Sequence, residues 1–182
     1  VLYVDTGVEM PSISEYVVRF AEYFQLPLKI LKSEKDFFQI FEAKKAFPSP
    51  AYRECIWILI NKTLDDYMFS QTENFILIRG GRAKQTTPNA KTQRFYTLKA
   101  TNGKEITIFN PLFDLSEEAF EFYLSQLEEE FGLWEGYKKG FQRTCCWTCP
   151  FQKEEHYEAM KKHLPFLWEI LKRKAREWKV YE

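Results

Sequence analysis

The sequence predicts an α/β fold, a parallel sheet flanked by helices, with a small hairpin and a helical carboxy-terminal segment. Three observations carry this expectation. The chain opens on a strand–helix–strand run, a later apolar strand ends in two glycines, and apolar residues near the end recur every three or four positions.

Leu2 to Asp5 is a short apolar run that stops at a Thr-Gly turn, as a buried strand does. Ser12 or Ser14 can cap a helix through Gln25, in which Ile13, Tyr16, Val17, Phe20, Ala21 and Phe24 fall at helical spacing. Pro27 closes it and Leu28 to Leu31 returns as a strand, so the three elements form a β–α–β unit. Phe47 to Pro50 breaks the pattern, and a second helix is expected from Arg53 through Met68. Asn74 to Gly81 reads as a buried strand, followed by the polar loop AKQTTPNAKTQ. Arg94 to Ala100 and Glu105 to Phe109 pair as a hairpin, because Asn102-Gly103 suits a tight type I′ turn. Asp114 or Ser116 caps the next helix, whose first turn is acidic. Tyr157, Met160, Leu164, Leu167, Leu171, Ala175 and Trp178 give the clearest helical signal, kinked or divided at Pro165.

At 182 residues, with 18% aromatic and 29% charged residues, the chain can bury a proper core. A formal net charge of zero gives no support for bulk electrostatic binding to nucleic acid, although Lys161 to Lys179 is locally basic. That run reads either as a solvated face or as a nucleic-acid or nucleotide contact. No apolar run approaches the roughly 18 to 20 residues of a membrane span. Four clustered cysteines do not resemble a secreted disulfide framework, so a cytoplasmic setting with metal or redox use is expected.

Chemistry concentrates in RTCCWTCPF, Arg143 to Phe151. The C-x-x-C spacing of Cys146 and Cys149 lets both thiolates point at one metal or at each other. Cys145 adds a third sulfur, though adjacent cysteines rarely ligate one ion comfortably, and Cys55 can complete a four-sulfur set in space. Four thiolates suit zinc or a [4Fe–4S] cluster. The competing reading, a small apolar core residue, fits Cys55 best because Ile56 to Leu59 follow it. Ligation is expected ahead of redox chemistry. His156 and His163, seven apart on one helix, read as surface residues before metal ligands. Asp5 and Gly7 stand where parallel sheets bind ligands, and also where strands ordinarily end. Gly80 and Gly81 with Arg82 suit an anion pocket or a plain surface loop, with Lys84, Lys91 and Arg94 as further charge.

Taken together and in order, these segments resemble the phosphoadenosine-phosphosulfate (PAPS) reductase-like family. VLYVDTGVEMP is similar to its Asp-Thr-Gly-x-Glu-x-Pro strand signature through Asp5, Thr6, Gly7, Glu9 and Pro11. FPSPAYREC resembles its Pro-rich approach to an Arg-x-Cys helix, and GGRAKQT loosely resembles its Gly-x-Arg segment through Gly80, Arg82, Gln85 and Thr86. NPLFDLSEE matches the family's Asn-Pro-Leu-x-Asp-Trp-Ser block with Leu115 in place of Trp. GFQRTCCWTCPF resembles its Gly-Phe-x-Arg-x-x-Cys-x-x-Cys-Pro-Phe block.

The resemblance implies a Rossmann-like, adenine nucleotide α-hydrolase-like sheet whose strand ends cradle an adenylylated substrate. It implies a nucleotide-binding-type domain over residues 1–140, with a cysteine segment and helix packed on it over 141–182. Asp5, Thr6, Gly7, Gly80, Arg82, Thr86 and Arg143 would bind nucleotide or substrate: ATP, adenylyl sulfate or PAPS. Cys55, Cys145, Cys146 and Cys149 would hold a [4Fe–4S] cluster or zinc, with Cys145 standing in for the family's second helix cysteine, here Ile56. The family's Ser-Gly-Gly-x-Asp-Ser phosphate loop is expected upstream of Val1. Its Glu-Cys-Gly-Leu-His tail, with the nucleophilic cysteine, is absent from the sequence, so sulfate-assimilation reduction is not the expected reaction. The expectation is sulfur activation or transfer with an adenine nucleotide, as in relatives that put sulfur into nucleic acids. The alternative is a non-catalytic module with a structural metal staple, serving a protein partner or a second copy of itself.

Overall fold

The computed structural model describes residues 1–49, 52–83, 93–99 and 103–178. The fold is mixed α/β, as expected, but its parallel pairing is confined to two small sheets. The chain divides into two compact units, Val1–Leu64 with Leu133–Glu182, and Asp65–Gly132.

The first unit begins with the expected β–α–β run. Strands β1 (Leu2–Asp5) and β2 (Lys29–Lys32) pair in parallel, with Tyr3 opposite Ile30 and Asp5 opposite Lys32. Helix α1 (Ile13–Tyr23) connects them and buries Ile13 and Ala21. Neither candidate serine caps it by its hydroxyl. Ser12 stands at the N-cap with φ 67°, and its Oγ accepts a hydrogen bond from Trp134 Nε1 at 3.0 Å. Ser14 Oγ instead meets the Tyr3 hydroxyl at 3.2 Å. Thus both hydroxyls serve tertiary contacts, which local sequence does not reveal.

Helix α2 (Phe37–Glu42) follows a capping box, in which Asp36 Oδ1 accepts from the Gln39 amide at 2.8 Å and Gln39 answers at the Asp36 amide. The expected second helix forms, but Ile56–Asn61 is π-helical before it narrows into α3 (Lys62–Ser70). The wider turn puts Leu59 into the core and leaves Ile56 and Trp57 exposed. The apolar run after Cys55 is therefore not a uniformly buried one. Past a 3₁₀ turn (Glu135–Lys139) and the cysteine loop come α5 (Glu154–His163) and α6 (Pro165–Glu177). Pro165 divides the long periodic segment rather than kinking it, because it fits the first helical position.

One aromatic-rich core fills this unit: Val8, Met10, Ile13, Phe37, Ile40, Phe41, Leu59, Trp134, Phe141, Trp147, Ala159, Met160 and Trp178. Phe41 is fully buried, with the rings of Phe37 at 4.8 Å and Tyr52 at 6.1 Å.

The second unit holds a three-stranded sheet in the order β3-β5-β4. Strand β4 (Phe95–Lys99) runs antiparallel to β5 (Glu105–Phe109), which confirms the hairpin; Gly103 has φ +83°, and Thr101 and Asn102 lie outside the described residues. Strand β3 (Ile76–Ile78) pairs with β5 in parallel. Asn74 to Gly81 reads as a buried strand, yet only three of its residues are extended, and Ile76 and Ile78 are exposed. The apolar run is real but lies at a sheet edge, where only Ile106 and Ile108 on the other face of β5 are fully covered. Helix α4 (Glu117–Glu130) starts at Ser116, whose Oγ accepts from the Ala119 amide at 3.2 Å, which decides between the two candidate caps.

Phe41→Ala is expected to cost about 3–5 kcal/mol of unfolding free energy, because it removes a ring from a filled site. Denaturant unfolding of both proteins measures this, and a loss under about 1 kcal/mol would contradict the packing described.

Candidate functional site

The site is built where β1 ends. Gly7 adopts φ +76°, a turn that a side chain would strain, and its amide donates to Asp5 Oδ1 at 2.9 Å. The other Asp5 oxygen reaches Lys32 Nζ at 2.9 Å, across the parallel pair. Burial works against ionisation of Asp5, but the Lys32 ammonium and the Gly7 amide outweigh it and hold the carboxyl below its usual value. Thr6 is buried, and both its amide and its hydroxyl donate to Glu9 Oε1, at 2.8 and 2.7 Å. Glu9 thus folds back over the strand end.

The cysteine loop is joined to this turn by backbone pairing. Met10 N donates to the Cys145 carbonyl at 3.0 Å and Trp147 N to the Val8 carbonyl at 2.9 Å, which places Cys146 opposite Glu9. Cys146 Sγ lies 3.6 Å from Thr6 Oγ1. Burial pushes its thiol up to about 12, against the Thr6 hydrogen bond, and the charge of Glu9 adds to the rise. The C-x-x-C residues form one tight turn, Cys149 N donating to the Cys146 carbonyl at 3.1 Å.

The remaining groups surround that turn. Arg143 donates to the Phe151 carbonyl at 2.7 Å and stands 3.8 Å from Cys149 Sγ. Gln152 Nε2 donates to Cys145 Sγ at 2.8 Å and to the Cys146 carbonyl at 3.0 Å. Burial raises the Cys145 thiol, with Gln152 and Arg143 opposing. Burial likewise raises Cys55, and the neighbouring Cys149 contributes, so the fold brings the helix cysteine to the loop. Among the described residues no three His, Cys, Asp or Glu side chains converge as a metal site. As placed, Cys146 Sγ is turned toward Thr6.

Asp5, Thr6, Gly7, Arg143 and all four cysteines therefore belong to the first unit, while Gly80 and Arg82 belong to the second. The Arg82 guanidinium stacks 3.8 Å over the Phe120 ring, with Nη1 3.4 Å from Glu117 Oε1. Its buried Nε has no hydrogen-bond partner among the described residues. Gly80 has open space where a Cβ would stand, so local packing does not demand a glycine. Thr86, with Lys84, Gln85 and Lys91, lies outside the described residues.

Sequence reasoning left Glu9 and Gln152 out of the site. Glu9 carried a signal as part of Asp-Thr-Gly-x-Glu, whereas Gln152 carried none. His156 is a correction: expected at the surface, it is fully buried, 5.0 Å from the Phe141 ring, with both ring nitrogens unpartnered among the described residues. Burial first, then the Arg143 charge, holds its imidazole below the ordinary 6.5.

With that geometry in place, comparison with known proteins defines the class. The phosphoadenosine phosphosulfate reductase domain family matches residues 1–152. The chain belongs to that family. Its relatives include two proteins of Methanocaldococcus jannaschii. Uncharacterized protein MJ0973 is 27% identical over 181 residues, which cover 95% of this chain and 41% of that protein. Uncharacterized protein MJ0066 is 26% identical over 180 residues, covering 98% of this chain and 36% of that protein. The chain thus spans well under half the length of the curated relatives it matches.

Two outcomes follow. At pH 8 the Cys146 thiolate fraction is expected to be on the order of a thousandfold below that of an ordinary thiol. Iodoacetamide labelling mapped by mass spectrometry should leave Cys146 unmodified until well above pH 10, and rapid labelling at pH 8 would contradict its burial. The sign for His156 also follows from its lowered value: the unfolded chain takes up a proton below about 6.5 while the folded chain does not. Stability present at pH 7 is therefore lost as pH falls from about 6.5 to the folded value. Thermal melts of the native chain and His156→Leu check this, the variant losing that part of the slope.

Proposed function

We propose that this chain forms the nucleotide-handling part of a PAPS reductase-like protein of sulfur metabolism, acting as an oxidoreductase, sulfur transferase or adenylating enzyme. Its ligand would be ATP, adenylyl sulfate or PAPS. The observation that carries the reading is the turn after β1, where Asp5, Thr6 and Gly7 are fixed at the carboxyl end of a parallel strand and clamped to the cysteine loop. Ligands of open parallel sheets enter at such strand ends. In this reading Arg143 supplies positive charge for phosphate or sulfate beside the turn, and Gly80, Arg82 and Thr86 are proposed, on the family resemblance alone, as an anion-binding segment of the second unit. Cys55, Cys145, Cys146 and Cys149 are the donors for an iron–sulfur cluster or zinc, and loading would require Cys146 to turn away from Thr6 and lose its proton.

A second reading, a non-catalytic module joining a protein partner or a second copy, is favoured by one observation. The cysteine loop is paired to the Val8–Met10 segment through its backbone, as a staple is. A local nucleic-acid contact rests on the basic carboxy-terminal helix alone.

Calorimetric titration of the full-length protein, purified without oxygen, with ATP, adenylyl sulfate and PAPS separates the two. At least one nucleotide should bind, with Arg143→Gln weakening it about tenfold or more and Arg143→Lys restoring part of the loss. Zinc, iron and sulfide content of the same sample identifies the group on the thiols. Binding of none of the three nucleotides would leave the structural module as the reading.

A further inference from the structure

All four cysteines are free thiols, and the backbone sets two of them apart as a pair. Cys149 N donates to the Cys146 carbonyl at 3.1 Å, which closes residues 146–149 as one hydrogen-bonded turn. Such a turn brings its first and fourth Cα atoms within about 7 Å, and a disulfide spans about 4.4–6.8 Å between Cα atoms. Trp147 and Thr148, the two residues inside the turn, are buried and hold it in place. The backbone spacing therefore already suits the bond.

What separates the two sulfurs is side-chain rotation. Cys146 Sγ faces Thr6 Oγ1 at 3.6 Å, and Cys149 Sγ faces the Arg143 guanidinium at 3.8 Å. Turning them toward each other orphans neither neighbour. The Thr6 hydroxyl keeps donating to Glu9 Oε1 at 2.7 Å, and Arg143 keeps donating to the Phe151 carbonyl at 2.7 Å. Other pairings are less well prepared. Cys145 and Cys146 are adjacent, with Cα atoms about 3.8 Å apart, short of the span a disulfide needs. Cys145 Sγ is also engaged, accepting from Gln152 Nε2 at 2.8 Å and donating to the Arg143 carbonyl at 3.5 Å. Cys55 stands on a different element, at the start of the π-helical turn.

We propose that Cys146 and Cys149 form a reversible disulfide, a redox switch that withdraws two of the four candidate sulfur donors and lifts Cys146 off Thr6. The switching role rests on the reading of these sulfurs as donors; the disulfide itself does not. The oxidant is a low-molecular-weight disulfide. Cys149, whose sulfur makes the more exposed of the two contacts, attacks one sulfur of the reagent as its thiolate, and the reagent's S–S bond breaks to release one thiolate. Cys146 then gives its proton to solvent and attacks Cys149 Sγ, expelling the second thiolate. The protein pair loses two electrons and two protons, which leave as two molecules of reagent thiol. Excess thiol reverses both steps.

The metal-stripped full chain is equilibrated without oxygen in mixtures of oxidised and reduced glutathione, quenched with acid, unfolded and alkylated with iodoacetamide. Trypsin places Cys145, Cys146 and Cys149 on one peptide, residues 144–153, and Cys55 on another, residues 54–62. In oxidising mixtures the first peptide is expected to lose two hydrogens and keep one label, at Cys145, while Cys55 stays labelled. Reduced glutathione should restore all four labels. Cys145→Ser should keep the disulfide and Cys149→Ser should lose it. Zinc uptake, read as metal content after desalting, should fall at least about tenfold in the oxidised chain. A bond at any other pair, or three labels on the 144–153 peptide in every mixture, overturns the disulfide. Equal zinc uptake by the two forms overturns the switch. A reduced chain that takes up no zinc overturns the donor reading and the switch together, with the disulfide judged by its mapping alone. Should Cys149→Ser fail to fold, the label pattern of the native chain decides.

Discussion

The pairing of Val8–Met10 with Cys145–Trp147 is the constraint on which the first unit depends. Two backbone hydrogen bonds and the Thr6–Cys146 contact join positions about 140 residues apart in sequence. Closing so long a loop carries an entropic cost that hydrogen bonds worth roughly 1 kcal/mol each do not offset. Burial does. Val8, Met10 and Trp147 lie at the joint and all belong to the core, with the Phe38 ring 6.0 Å from Trp147. Each such side chain contributes roughly 1.5–3 kcal/mol when covered. Apolar packing thus makes the joint, and the polar groups of the site are held in register by it.

That arrangement also sets the electrostatics of the loop. Cys146 is inside the joint, beside Glu9, and stays a neutral thiol. Arg143 reaches Cys149 instead, at the outer end of the same turn. The two sulfurs of one C-x-x-C segment are therefore differentiated by position: one faces the strand end, the other faces a guanidinium. Neutral burial suits a thiol that packs into a core.

Much of this was legible in the sequence, because it follows from local pattern. The β–α–β run, the hairpin, the acidic start of α4 and the division at Pro165 each rest on spacing or turn chemistry within a dozen residues. What local pattern cannot carry is the environment on the other side of a side chain. The apolar run at β3 is the same whether its strand lies inside a sheet or at its edge, and here Ile76 and Ile78 are open. The π-helical turn after Cys55 and the use of Ser12 for Trp134 are likewise tertiary outcomes. His156 illustrates the reverse error, since a histidine among charged helix residues reads as exposed until Phe141 is packed on it. At the site, the ordered motifs pointed to Asp5, Thr6, Gly7 and the cysteines, but not to Glu9 and Gln152 as the groups that join them.

A two-stranded parallel sheet is a weak foundation for a binding turn, since parallel strands are normally stabilised by larger sheets with both faces covered. Strand β1 is only half-buried along its length. Its terminal turn is nonetheless held from three sides: by Lys32 across the pair, by Glu9 from the following segment, and by Cys146 from the loop. The Asp5–Lys32 ion pair is largely solvated on the lysine side and contributes little alone. The contacts of Thr6 are the stronger restraint, because breaking them would leave its buried hydroxyl without the Glu9 carboxylate. Disturbing the cysteine loop must then loosen the strand end, and disturbing the strand end must expose Cys146. The rigidity of this turn comes from the sulfur segment, so a ligand proposed to bind there would meet a surface that cannot be altered independently of the cysteine loop.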